Sequence, residues 1–212
     1  MSLRLYAHPF SSYCQKALIA LYENDTPFEY RNLEDKAANK ELTTLWPLKR
    51  FPVLVDDGRT LMEASIIIEH LALAHPGPVK LIPASPDAAL DVRLMDRFFD
   101  NYISTPQQRI VFDAIRPADS RDPYGTNEAR AMLDTAYRWL DTTLADGREW
   151  AVGEQFSMAD CAAAPALFYA NKVHPLTSAL PHCRAYLERL EARASFSRVL
   201  REAQPFMSMF PG

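Results

Sequence analysis

The feature that most limits how this chain can fold is a change of pattern at residues 76–86. That stretch, Pro-Gly-Pro-Val-Lys-Leu-Ile-Pro-Ala-Ser-Pro, holds four prolines. Proline fixes φ and lacks an N–H, so neither a helix nor a strand runs through it. Before it, strand and helix signals alternate; after it, strand signals stop. The pattern predicts an α/β unit over 1–76, a linker over 77–86 and an all-helical unit over 87–212. A chain of 212 residues is long enough for two modest domains.

In the front unit, residues 3–7 and 28–33 alternate apolar and polar side chains and read as strands. A helix over 13–23 lies between them and stops at Asn24-Asp25-Thr26-Pro27. Residues 36–45 form a polar helix. Strands over 51–55 and 59–62 flank an Asp56-Asp57-Gly58 turn, and a helix follows over 65–75. A strand–helix–strand unit pairs in parallel through a right-handed crossover, and the hairpin adds antiparallel strands. The expected sheet is therefore mixed and four-stranded.

In the rear unit, residues 87–115 read as one long helix, kinked or split at Pro106, with Leu90, Leu94, Phe98 and Tyr102 along it. A polar loop over 116–125 leads to helices over 128–144, 157–171, 182–194 and 195–202. Met132, Ala136, Trp139 and Leu140 share a face of the first of these. Ser157-Met158-Ala159-Asp160 has the form of a capping box, with Phe156 placed as a staple. As a lost cap alone, Asp160→Ala should cost about 1 kcal/mol or more.

Composition excludes little. The net charge of −4 is mild, without the basic stripe that nucleic acid demands. No apolar run approaches the roughly 18–20 residues of a membrane span. Met1-Ser2-Leu3-Arg4 runs directly into a strand pattern, so no signal peptide is expected. Three widely spaced cysteines, Cys14, Cys161 and Cys183, argue for a reducing, cytoplasmic setting. None of the five histidines has metal-type spacing to a cysteine or a carboxylate pair, so they read as surface or interface residues and no metal is expected.

Three features of the front unit carry chemistry. Ser11-Ser12-Tyr13-Cys14 opens the first helix, where unpaired N–H groups and the helix dipole favour a thiolate. Phe51-Pro52-Val53 places a proline at the start of a strand. A cis bond there would leave the Val53 backbone to pair with an extended peptide. Glu63-Ala64-Ser65 opens a helix and offers a carboxylate and a hydroxyl to an amino-acid head group. The plainer readings are serine capping, an ordinary edge proline, and a second cap.

Together these segments, with Glu63-Ala64-Ser65-Ile66-Ile67-Ile68-Glu69-His70-Leu71, the proline linker and Phe156-Ser157-Met158-Ala159-Asp160, resemble the glutathione transferase superfamily over nearly the whole chain. The resemblance implies a thioredoxin-like front domain, glutathione as cosubstrate, a small electrophile as second substrate, detoxification chemistry and a homodimer. Within the superfamily the chain looks like a serine-type member similar to the theta and zeta classes. The resemblance places Ser11 at the thiolate-activating position, with Ser12 as fallback. It places Pro52 on the cis-proline, with Phe51 before it, and Val53 on the residue that pairs with the cysteinyl backbone. Glu63 falls on the residue that meets the γ-glutamyl group. The electrophile pocket is expected among Pro9, Phe10, Tyr102 and Gln107, with Phe206 or Phe210.

Two departures bear on glutathione affinity. The serine that follows the glutamate in the family is Ala64 here, with Ser65 one later and turned by about 100°. Lys49 stands where the family often has a turn glycine, so it must avoid positive φ or bear strain. Two alternatives remain: thiol redox work at Cys14 in Ser11-x-x-Cys14, and a non-catalytic binding or regulatory protein on the same fold.

Overall fold

The structure is a computed structural model that describes residues 3–211. Met1 and Ser2, the first residues of the expected run into the first strand, lie outside the described residues. Strand β1 (Leu3–Ala7) leads to α1 (Ser12–Glu23), β2 (Glu29–Asn32), α2 (Lys36–Leu45), β3 (Val53–Asp56), β4 (Arg59–Met62) and α3 (Ala64–Ala74). The sheet order is β2-β1-β3-β4, with β1 parallel to β2 and antiparallel to β3, and β3 antiparallel to β4. The sheet is mixed and four-stranded, as the element order predicts.

Strand periodicity sorts the side chains onto two faces. Leu3, Leu5, Ala7 and Leu54 join the main core with α1 and α3, whereas Tyr6, Val53 and Val55 face α2 through Leu33, Ala38 and Leu42. With both faces covered, α1 is buried almost throughout its length, from Cys14 to Leu21. Its far side packs against the rear helices. The main core is consequently one cluster running from Leu5 and Leu18 through Phe99 to Leu133 and Leu167.

The proline segment is fastened rather than loose. The Asn24 side chain accepts from the Val79 N–H at 2.8 Å and donates to the Val79 C=O at 3.1 Å. Leu81 is buried, and its C=O accepts from Met158 N–H at 2.9 Å. A Cβ on Gly77 would stand 2.3 Å from the Asn24 side chain, so this close approach requires glycine.

The rear half holds α4 (Pro86–Phe98), a π-helical turn (Phe99–Ser104), α5 (Thr105–Ala114), α6 (Pro123–Leu144), α7 (Met158–Val173), α8 (Pro181–Ala192) and α9 (Ala194–Ala203). Short 3₁₀ pieces occur at Ala118–Ser120 and Gln204–Met209. The expected break at Pro106 takes the form of the π turn just before it. Pro106 cannot donate to residue 102, and the Thr105 N–H reaches back to the Asp100 C=O.

Two expectations fail here. Helix α6 begins at Pro123, not 128, because Asp122 caps it (Gly125 N–H to Asp122 Oδ1, 2.8 Å) and Pro123 suits its first position. Of the row Leu90, Leu94, Phe98 and Tyr102, Phe98 joins the core, whereas Leu90, Leu94 and Tyr102 are 65%, 61% and 52% exposed. The neighbouring stripe Ala89, Val92, Met95 and Phe99 is buried instead. A four-residue spacing marks a helix face without saying which way it points. Met132 and Trp139 are likewise exposed, while Ala136 and Leu140 on their helix are buried.

Candidate active site

A cleft of about 820 Å³ opens where the N-termini of α1 and α3 meet α4, α5 and the C-terminal segment. Ser11 caps α1: its Oγ accepts from the Cys14 N–H at 3.4 Å. Ser12, the first residue of α1, has its hydroxyl on no partner among the described residues. Both serines line the cleft. The Phe51–Pro52 bond is cis, and both residues line the cleft. Glu63 and Ala64 line it at the start of α3, with Glu63 exposed and at φ +68°. Positive φ is uncommon outside glycine and often marks a binding site. Lys49 also lines the cleft and takes the strained alternative, with φ +53°.

Several expected site residues lie elsewhere. Val53 is fully buried, registered between Tyr6 and Met62, and its side chain faces α2. Phe51 is exposed, lies outside the strand and lines the cleft, whereas Val53 is not among the lining residues. Ser65 is turned away from the cleft, as the 100° argument anticipates. Its hydroxyl donates to Asp96 Oδ2 at 2.8 Å and accepts from Lys16 Nζ at 2.8 Å and from Arg97. Pro9 is buried beneath the cleft, with its C=O accepting from Gln15 Nε2. Tyr102 lies on the outer surface against Phe98. Phe206 packs edge-on against His8, at 4.8 Å between ring centres, outside the cleft lining, and Phe210 is the one that lines it. Phe10 and Gln107 do line it.

Sequence reasoning missed a polar group and the rings of Tyr13 and Tyr169. Lys16 is buried and paired with Asp96 (2.6 Å) and Asp100 (2.8 Å), and Arg97 meets both carboxylates at 2.6 Å. Arg97 and Asp100 line the cleft. Burial pushes the Asp100 carboxyl up, against the pull of Lys16, and its Oδ1 has no hydrogen-bond partner. Beside them, burial raises the Tyr13 phenol to about 12, so its hydroxyl is a donor at neutral pH. Among the other lining residues, Tyr169 and Phe210 stack at 5.6 Å, and both rings meet Phe10 edge-on. The cleft thus has a polar wall with both signs of charge and an aromatic wall.

Cys14 is fully buried, and burial pushes its thiol up to about 12. This overturns the redox reading, which needs an exposed thiolate. His182 is an exposed surface residue, as expected, but the other four histidines each meet a carboxylate. His8 meets Glu34, His174 meets Asp134, and His70 and His75 share Asp56.

Against known proteins, residues 5–79 match the glutathione S-transferase N-terminal domain family and residues 118–189 the glutathione S-transferase C-terminal domain family. A probable maleylacetoacetate isomerase of Caenorhabditis elegans is 24% identical over 95% of this chain and 94% of its own length. A glutathione S-transferase of Methylobacillus flagellatus KT, solved with glutathione bound, is 25% identical, with a TM-score of 0.82 over 93% of this chain and 98% of its own. A second, from Methylobacterium radiotolerans in complex with glutathione sulfonate, is 29% identical, with a TM-score of 0.80 over 94% of each chain. The two halves match the two halves of one family in order, and the chain belongs to the glutathione transferase superfamily.

Proposed function

We propose that this chain is a glutathione transferase that holds the glutathione thiolate at the start of α1 and directs it at an apolar electrophile. One observation carries the reading: Ser11, the cis Phe51–Pro52 corner and Glu63 line a single cleft together with the rings of Phe10, Tyr169 and Phe210. Glutathione carries two carboxylates, an ammonium and a thiol. Lys49 and Arg50 suit a carboxylate, Glu63 suits the ammonium, and the N–H groups opening α3 at Ala64 suit the second carboxylate. The Phe51 backbone, rather than that of Val53, pairs with the extended cysteinyl unit.

At the α1 terminus, the dipole and the Ser11 O–H stabilise a sulfur anion, and each unit of thiol pKa lowering is worth about 1.4 kcal/mol. The sulfur then forms a bond to the electrophilic carbon, the leaving group departs with its electron pair, and the thiol proton passes to solvent. The aromatic wall of Phe10, Tyr169 and Phe210 favours flat, apolar electrophiles.

Residues 1–76 form the glutathione domain and 87–212 the helical domain in this reading. The exposed row Leu90, Leu94 and Tyr102, beside Trp139, supports a homodimer burying this face. All three cysteines are free, which supports a reducing, cytoplasmic setting. No helix among the described residues is long and apolar enough to cross a membrane.

The test is conjugation of glutathione to an activated aryl chloride, with glutathione affinity measured by calorimetry. Ser11→Ala should cut turnover by about a hundredfold or more, as loss of a donor to a developing anion does, with affinity nearly unchanged. If Ser12→Ala does the damage instead, Ser12 is the activating residue. Absence of glutathione binding at millimolar concentration refutes the proposal and leaves a non-catalytic relative. Counting free thiols over a time course separates conjugation, which consumes them, from isomerisation, which returns them.

A further inference from the structure

At the other end of β3 from Pro52, a second cluster bears no relation to the cleft. Asp56 closes β3, His70 lies in the body of α3, and His75 is the residue after its last turn. One carboxylate oxygen serves both imidazoles: Asp56 Oδ2 stands 2.7 Å from His70 Nε2 and 2.8 Å from His75 Nε2. The three candidate ligand atoms all lie within 4.8 Å of one another. The side chains are 11%, 13% and 18% exposed for Asp56, His70 and His75, sheltered yet reachable from solvent. Two imidazole nitrogens and a carboxylate oxygen, converging from two separate elements, make a borderline-soft donor set rather than an acidic patch.

We propose that Asp56, His70 and His75 bind a divalent transition-metal ion of the zinc type, with water in the fourth position. Zinc bonds of about 2.0–2.1 Å at tetrahedral angles put ligand atoms about 3.3 Å apart. The two observed contacts need to open by only about 0.5 Å, within the reach of small side-chain rotations. Coordination uses the Nε2 lone pair of each ring, so the ring hydrogen of the bound imidazole sits on Nδ1 and the contact to Asp56 gives way to a shared ion. No thiol competes, since all three cysteines are buried. The ion ties the end of β3 to the end of α3, the helix whose opposite end lines the cleft, and so acts as a staple rather than a catalyst.

The experiment uses full-length, untagged protein stripped with a chelator. It is titrated with Zn²⁺ by calorimetry and with Co²⁺ by visible absorption, beside His70→Gln and His75→Gln. Both variants are checked for folding by far-UV circular dichroism and for glutathione binding, which they should keep. The expected result is one ion per chain, a Co²⁺ spectrum of tetrahedral type, and a rise in thermal midpoint with Zn²⁺. Each variant should lose affinity by more than about tenfold, the lower end of what losing an outer-shell partner costs. Absence of saturable binding by the unmutated protein overturns the proposal, and so does binding that both variants retain. Either leaves a hydrogen-bonded trio and leaves the glutathione reading untouched.

Discussion

Asp160→Ala should destabilise this protein far more than the loss of a helix cap. The side chain is fully buried at the third position of α7. Its Oδ2 accepts from Ser157 N–H at 2.8 Å and from Ser157 Oγ at 3.0 Å, while Ser157 Oγ in turn accepts from Ala159 N–H at 3.3 Å. Its Oδ1 accepts from Ala151 N–H at 2.8 Å and from Tyr186 O–H at 2.6 Å. The carboxylate thus joins the loop before α7, the start of α7 and the middle of α8. Truncation removes the acceptor from four donors, the Ala151 N–H, the N–H and O–H of Ser157 and the Tyr186 O–H; the Ser157 hydroxyl can turn to another acceptor, and the other three are stranded. An unsatisfied buried donor costs about 1–3 kcal/mol, and a water entering the vacated space recovers part of it. The sum is about 4 kcal/mol, a large share of the roughly 5–15 kcal/mol that holds a protein folded. Asp160→Asn keeps one acceptor oxygen and turns an NH₂ toward donors, so it should fall at about half that loss.

Urea unfolding followed by far-UV circular dichroism measures both variants. The main core runs unbroken through both halves, so a single transition with an unchanged slope is expected, with the midpoint moved down. A loss below about 1.5 kcal/mol for Asp160→Ala, the value of an ordinary cap, refutes the network argument. Separate transitions for the two halves refute the shared core.

Ser65→Ala should leave glutathione affinity within about twofold and lower stability by about 1 kcal/mol, since the hydroxyl bonds Lys16 and Asp96 rather than the cleft. A tenfold loss of affinity by calorimetry would return Ser65 to the binding site. Lys49→Gly should raise stability by about 0.5–1 kcal/mol, relief of the left-handed backbone less the entropy of glycine, while weakening glutathione binding. Improved binding would show that strain outweighs the charge. Cys14 should resist iodoacetamide at pH 7–8 in the folded protein and react on unfolding, as mass spectrometry would read. Because the fold holds that thiol proton to about 12 while the unfolded chain releases it near about 8.5, stability should fall as pH rises between these values. A Cys14→Ala variant with an equally steep decline would remove Cys14 as the cause.

Element order was readable because strand alternation and helical spacing are local. The capping serine of α1 and the capping box were readable for the same reason, since each depends on a few adjacent residues, whereas the cis Phe51–Pro52 bond was indicated only by the family resemblance. What was not readable depends on direction or on distant partners. Leu90, Leu94 and Tyr102 mark a helical row, but only the packing of α7 on α4 decides that Val92 and Met95 face inward. Asp122-Pro123 was a local start signal for α6, masked by the polar stretch around it. Lys16 looks like an ordinary surface lysine until α4 supplies Asp96 and the π turn Asp100. His70 and His75 are five apart, and their partner Asp56 lies on another strand, so no spacing rule connects them.

The displaced serine shows how one step of helical phase divides binding from structure. A hydroxyl at position 64 would face the cleft, but Ala64 leaves that point with backbone alone. At position 65 the hydroxyl turns into the junction of α1, α3 and α4, where Lys16, Asp96, Asp100 and Arg97 sum to no net charge. A buried, balanced network of this kind adds little net stability, yet removing one member leaves an uncompensated charge. Ser65 therefore helps hold Arg97 and Asp100, which do line the cleft, in fixed positions. The start of α3 offers N–H groups and Glu63 at positive φ in place of a serine, so under the proposed function recognition of the head group would rest on Glu63 and on the N-terminal field of α3. Affinity should accordingly fall more steeply with salt than in a relative that anchors the same carboxylate through a neutral hydroxyl.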